Sequence, residues 1–255
     1  MRPLDKGDAP LDLDGNPVSQ TDYKKWRRLL IERIGYYCAY CNQPLSHSLQ
    51  VEHVIPKDPP AGYVPGDPLA WDNMLLACGP CNRAKWNTPI DAITYYLPEE
   101  NNTHLPFEIV SVLGYGEKHA KVISSRDLDP PQEQKAIRTI RLLELDNIDE
   151  RDDIVDIRSL KRRNAIKSVQ SARSVFDMAK LSPTYDPIKA AEDIAYRASD
   201  SGFFSLWYKE FSNEPLVMAR LVDNSIIKGT AQNCFDAANG YQPINRNPLN
   251  IADPI

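Results

Sequence analysis

The sequence predicts an α+β fold: a small cysteine-stapled module behind an N-terminal helix, followed by a mainly helical C-terminal domain. Three observations predict it. Four of the five cysteines form two CxxC pairs, Cys38/Cys41 and Cys78/Cys81. The chain between them carries "PKDPPAGYVPGDP", a Pro/Gly-rich stretch that can only be a loop. Beyond residue 130, apolar positions recur at helical spacing.

Taken in order, residues 1–20 are rich in Pro, Asp and Gly without periodicity and read as an irregular arm. From Thr21, "TDYKKWRRLLIERIG" sets Trp26, Leu29, Leu30 and Ile34 in helical register, with Thr21 as N-cap and Gly35 as stop. This helix leads into the first CxxC and opens a module over residues 21–98. Residues 99–129 read as a connecting extension with a few short strands. "DPPQEQKAIRTIRLLELD" begins the helical domain, residues 130–240, with Pro131 near its start. "RDDIVDIRSLKRRNAIKSVQSARSVFDMAKL" continues it through Ile154, Ile157, Leu160, Ile166, Val169 and Val175. "PIKAAEDIAYRASDSGFFSLWYKEF" adds one or two helices, its aromatics read as core. Residues 241–255, rich in Pro and Asn, read as a surface-wrapping tail.

Composition narrows the class. At 255 residues the chain can bury a sizeable core, and 42% apolar with 25% charged residues is ordinary for a soluble globular protein. No apolar run reaches the ~20 residues of a membrane helix, and "MRPLDKGDAPLDLDG" lacks a secretory h-region, so the expected location is the cytoplasm. The net charge of −5 argues against a nucleic-acid partner only weakly, because phosphate contacts depend on local basic surface. Two basic runs are candidates: "KKWRR" at Lys24–Arg28 and "RSLKRRNAIK" at Arg158–Lys167. Solvated helix faces are the favoured reading of both.

In a reducing compartment, paired CxxC spacings point to metal or redox work rather than disulfides. Two matched pairs suit a tetrahedral all-cysteine zinc site, each pair forming a knuckle that presents two thiolates. Cys234 reads as a small buried hydrophobe. Glu52 and His53 lie between the pairs, and Asn82 follows the second. If a hairpin carries 51–55 and a helix begins near Cys81, the knuckle sets the helix tip against the hairpin. Glu52 and Asn82 then offer hard oxygen ligands of the kind Mg²⁺ or Mn²⁺ accepts. On a strand Glu52 and His53 face opposite sides. The acid therefore belongs on the metal and the imidazole on a water, which a neutral histidine can deprotonate.

"CAYC", "VEHVIP" and "WDNMLLACGPCNRAKWN" together resemble the HNH (ββα-metal) endonuclease family. The resemblance covers roughly residues 36–88 and implies a metal-dependent phosphodiesterase acting on DNA. In it His53 would be the general base, and Glu52 and Asn82 would hold one Mg²⁺ or Mn²⁺. Asn73 would hold the loop and orient the imidazole, and Lys57, Arg83 and Lys85 are candidate nucleic-acid contacts. His47 is an alternative ligand or phosphate contact. Many members have His where Asn82 stands. The opening "MRPLDK", with "YYCAYCNQPL" and "VEHVIPK", resembles more loosely the PtuB-like HNH effectors of Septu and retron-linked anti-phage systems. That likeness implies an ATPase partner in a defence complex. Competing readings are a non-catalytic zinc module that binds nucleic acid or protein, and an RNA- or tRNA-cleaving nuclease.

Overall fold

The computed structural model describes residues 1–47, 49–112, 118–151 and 155–255. Ile154, counted above in a helical register, lies outside them. The fold is α+β: three two-stranded antiparallel sheets and seven α-helices among the described residues. No helix among them is long and apolar enough to cross a membrane.

Helix α1, Trp26–Ile34, buries Trp26, Leu30 and Ile34 and ends at Gly35, whose φ of 77° suits glycine. A short 3₁₀ turn, Tyr23–Lys25, precedes it. The cap is Asp22 rather than Thr21, because the Asp22 carboxylate accepts from the Lys24 N–H. Strands β1, Gln50–His53, and β2, Met74–Ala77, pair antiparallel with Glu52 opposite Leu75 and His53 opposite Met74. All of β2 is buried. It runs into helix α2, Gly79–Lys85, whose N-cap is Cys78 and which carries Pro80 in its first turn. Trp26, Leu30, Val51, Trp71, Met74 and Leu76 share one core.

Strands β3, Phe107–Ser111, and β4, Ala120–Ser124, form the second hairpin, and the capping box of Asp129 and Gln132 starts helix α3, Pro130–Leu142. These elements pack with the four paired cysteines in a second core. Helices α4 (Arg158–Ala179), α5 (Pro187–Ser201), α6 (Phe204–Glu210) and α7 (Pro215–Leu221) build a third. Phe204, Trp207, Tyr208, Phe211 and Cys234 are inside it. A minimal hairpin, β5 (Phe235–Asp236) with β6 (Gln242–Pro243), follows.

Both ends of the chain are tied down more firmly than their compositions predict. Leu4 bridges Thr230, and Met1, Arg2, Leu4 and Lys6 are buried. The Arg2 guanidinium donates to the carbonyls of Ile34 and Lys228. The tail is pinned through Asp253, 2.6 Å from the Lys135 ammonium, and through Arg246, which donates to the Leu4 carbonyl. Polar composition marks these segments as irregular, but a few buried anchors suffice to hold an irregular chain.

Candidate active site and thiol centre

The two CxxC pairs converge. The Sγ atoms of Cys38, Cys41, Cys78 and Cys81 lie within 4.8 Å of one another, all buried, and all are free thiols. Four sulfurs at about 2.3 Å from one tetrahedral ion would stand about 3.8 Å apart. Cys41 and Cys78 are separated by 3.8 Å. The backbone N–H groups of Cys41 and Cys81 point at Cys38 and Cys78 Sγ, at 3.5 Å, as knuckles require. The residues present fit a four-thiolate metal ion.

Four thiolates around a divalent cation leave a double negative charge, and helix α4 supplies its counter-charges. Arg158 Nη1 donates to Cys81 Sγ at 3.1 Å, and the same guanidinium pairs with Asp156 at 2.7 Å. Arg162 is fully buried, and all three of its side-chain nitrogens lack a hydrogen-bond partner. Burial pulls its pKa down, while the Cys41 thiol acts in the opposite direction. The run at Arg158–Lys167, read from sequence as a solvated or nucleic-acid-facing surface, therefore turns two of its arginines inward. The first knuckle is braced as well. Asn42 accepts the Phe203 N–H at its carbonyl and the Phe204 N–H at its side chain, at 2.8 and 2.7 Å. Gly202 is needed at this contact, since a Cβ there would come within 2.7 Å of the Asn42 carbonyl oxygen.

An open cleft of about 560 Å³ is lined by residues from β1, α2 and the loop after β1. Glu52, His53, Asn82, Arg83 and Lys57 all border it. Glu52 is nevertheless buried, with one carboxylate oxygen 2.6 Å from the Lys85 ammonium and the other accepting from the Tyr40 hydroxyl at 2.6 Å. Burial raises its pKa in spite of Lys85. Each carboxylate oxygen has two lone pairs, so one hydrogen bond apiece leaves capacity for a cation at the cleft. Lys85 cannot serve as the phosphate contact expected of it. Its ammonium is buried between Glu52 and the His53 carbonyl, to which it donates at 2.8 Å.

His53 ends β1 half-buried, its ring centroid 4.7 Å from that of Tyr23. Nε2 lies 3.1 Å from the Pro68 carbonyl oxygen, so it carries the proton and Nδ1 keeps a lone pair. Burial lowers the His53 pKa and outweighs the Pro68 hydrogen bond, which favours the neutral ring. The orienting partner is thus Pro68, not Asn73. Asn73 instead ties the intervening loop together: its side chain accepts from the Ile55 N–H at 2.7 Å and donates to the carbonyls of Ile55 and Asp67. Gly66 packs so closely on it that a Cβ would sit 2.5 Å from the Asn73 amide nitrogen.

Asn82 donates from its amide to Gln50 Oε1 at 2.8 Å, which leaves its own oxygen as an acceptor. Arg83, Lys57 and His47 are exposed, and Lys57 lies 3.8 Å from Asp58. Sequence reasoning missed Gln50, Tyr40, Tyr23, Pro68 and Trp86. Gln50 alone had a local signal, as the strand neighbour two residues before Glu52.

Residues 38–88 match the model of the HNH endonuclease family. Over 80 residues the chain is 34% identical to the CRISPR-associated endonuclease Cas9 of Corynebacterium diphtheriae, covering 31% of this chain and 7% of that protein. No solved structure matches. With its paired knuckles, its β1–β2–α2 frame and this match, the segment from Cys38 to residue 88 is an HNH endonuclease domain.

Proposed function

We propose that the chain is a metal-dependent nuclease that hydrolyses phosphodiester bonds in DNA, with His53 as general base. The observation that carries this reading is the placement of His53: its Nε2 is held by the Pro68 carbonyl, and the residue borders the same cleft as Glu52 and Asn82. The Nδ1 lone pair takes a proton from water as the water oxygen bonds to phosphorus. The bond to the leaving oxygen breaks with its electron pair, and solvent protonates that oxygen. A divalent ion such as Mg²⁺ or Mn²⁺, held by Asn82 and Glu52, would neutralise charge on the phosphate. Tyr40 and Lys85 keep the Glu52 carboxylate oriented for that task, while Gln50 orients the Asn82 carboxamide. Arg83 and Lys57 supply cations for flanking phosphates. In the thiol centre, the ion that the four sulfurs suit is zinc, in a structural role. A place in anti-phage defence beside an ATPase rests on the resemblance of the opening residues alone.

The test is incubation of the purified chain with supercoiled plasmid and, in parallel, structured RNA, in Mg²⁺ or Mn²⁺. Nicked or linear DNA is the expected product. His53→Ala should lower the rate about 10²–10⁴-fold with bound zinc unchanged. Cleavage of RNA alone would overturn the DNA assignment, and full activity in His53→Ala would overturn the general-base role.

A further inference from the structure

Trp86 stands in a conformation that its side chain does not favour. Residues Lys85 to Thr88 form a tight turn closed by the Thr88 N–H on the Lys85 carbonyl at 3.0 Å. Trp86 occupies its first central position at φ 49° and ψ −128°, the geometry of a type II′ turn, where glycine is the usual residue. Packing does not compensate for the strain, since the side chain is 72% exposed. Strain kept without a packing return is the signature of a functional position.

The position is also firmly indexed to the chemistry. Lys85, the residue before it, is buried against Glu52 and the His53 carbonyl. The Trp86 N–H closes α2 on the carbonyl of Asn82. The indole borders the cleft together with Tyr23, Arg83, Lys57 and His53. Aromatic rings and cations bordering one groove are what an unpaired strand needs: rings for its bases, guanidinium and ammonium groups for its phosphates.

We propose that Trp86 is a stacking platform for a base beside the scissile phosphate, so that the cleft takes a single-stranded or locally melted strand. This rests on the nuclease reading of the same cleft and specifies its substrate. A base inside an intact duplex is covered on both faces by its neighbours and offers nothing to an indole. The two aromatic rings at the cleft, with Arg83 and Lys57 beside them, favour a nucleic-acid strand over an apolar protein segment as the occupant, although Asp58 and Glu52 line it too.

The experiment uses the full chain in the His53→Ala background with Mg²⁺, titrated against a fluorescein-labelled single strand and the matching duplex. Adding Trp86→Gly should weaken single-strand binding about 5- to 150-fold, the range of one lost aromatic–base stack. Duplex binding should change by less than about twofold. Trp86→Phe should restore most of the single-strand affinity, and Trp86→Gly should hold or raise the Tm, because glycine relieves the turn. Equal losses on both substrates, or no loss on either, would overturn the stacking role. Trp86-dependent strand binding with no cleavage by the wild-type chain would instead retain the platform and remove the nuclease. Cleavage of single strand and duplex at unchanged kcat/KM in Trp86→Gly alone would remove the platform and retain the nuclease.

Discussion

The thiol centre and the cleft share α2, where the adjacent residues Cys81 and Asn82 serve one each, yet they are finished differently. The thiol centre is sealed: four buried sulfurs, two guanidinium groups from α4, and Asn42 holding the start of α6. The cleft is open. Its acid is held by buried donors, its histidine is half-exposed, and its lip carries a strained tryptophan. A centre that only has to hold can be closed and charge-matched, whereas one that must exchange water, cation and substrate has to remain accessible. The seal also joins distant parts of the chain, because Arg158 and Arg162 belong to a helix far from the knuckles in sequence.

The strongest way to break this comparison is to remove a sulfur. Structural zinc contributes roughly 10–16 kcal/mol in small finger peptides at pH 7. Cys81→Ser should therefore lose its bound metal, measured by elemental analysis, and melt at a markedly lower Tm by circular dichroism. Because Arg158 donates to that sulfur, α4 should loosen together with residues 38–88, which hydrogen exchange would reveal. A variant that kept the wild-type melt and lost only catalysis would show that the two centres are less distinct than their packing implies.

Lys85 tests the cleft side. Lys85→Met leaves the Glu52 carboxylate buried with only Tyr40, and breaking such a pair typically costs about 3–5 kcal/mol. In a chain of this length that lowers the Tm by roughly 6–20 °C. The double variant Lys85→Met/Glu52→Leu should recover much of the loss while remaining inactive. A single variant with the wild-type Tm would mean that Lys85 is not the strut its contacts describe.

Arg162 sharpens the thiol side by sign. Replacing an outer partner of a metal site typically weakens metal affinity about 10–100-fold, and Arg162→Met should do so in competition with a chromogenic chelator. In metal-free protein the same change removes a buried charge without hydrogen-bond partners and should raise the Tm. An equal fall in both states would assign Arg162 to packing alone.

What the sequence revealed divides along the same line. The paired CxxC spacings, the Glu52–His53 step and the Gly35 stop are local patterns, and local geometry fixes their consequences. The partners that finish each centre are not local. Nothing near Lys85 says that its ammonium will be buried on Glu52, and a basic run reads as surface until a buried anionic centre is known to face it. Asn73 was legible as a loop residue, but its hydrogen-bond partners depend on how the loop folds back. Trp86 was invisible because strain lies in φ and ψ, which composition does not encode.

The smallest expected effect is on pH dependence. The base form of His53 is the neutral ring, and burial sets its pKa below 6.5. As pH falls through that pKa the ring gains a proton, Nδ1 loses its lone pair, and kcat/KM should fall with a slope of one proton. The acid limb should therefore have its midpoint below 6.5, with a plateau through neutrality. Lys57 and Lys85 both push the pKa down, while Asp58 pushes it up. Lys57→Gln should accordingly move the midpoint upward by a fraction of a unit, and this shift should shrink in high salt because Lys57 is exposed. A midpoint well above 6.5 would mean that a group other than this imidazole carries the proton.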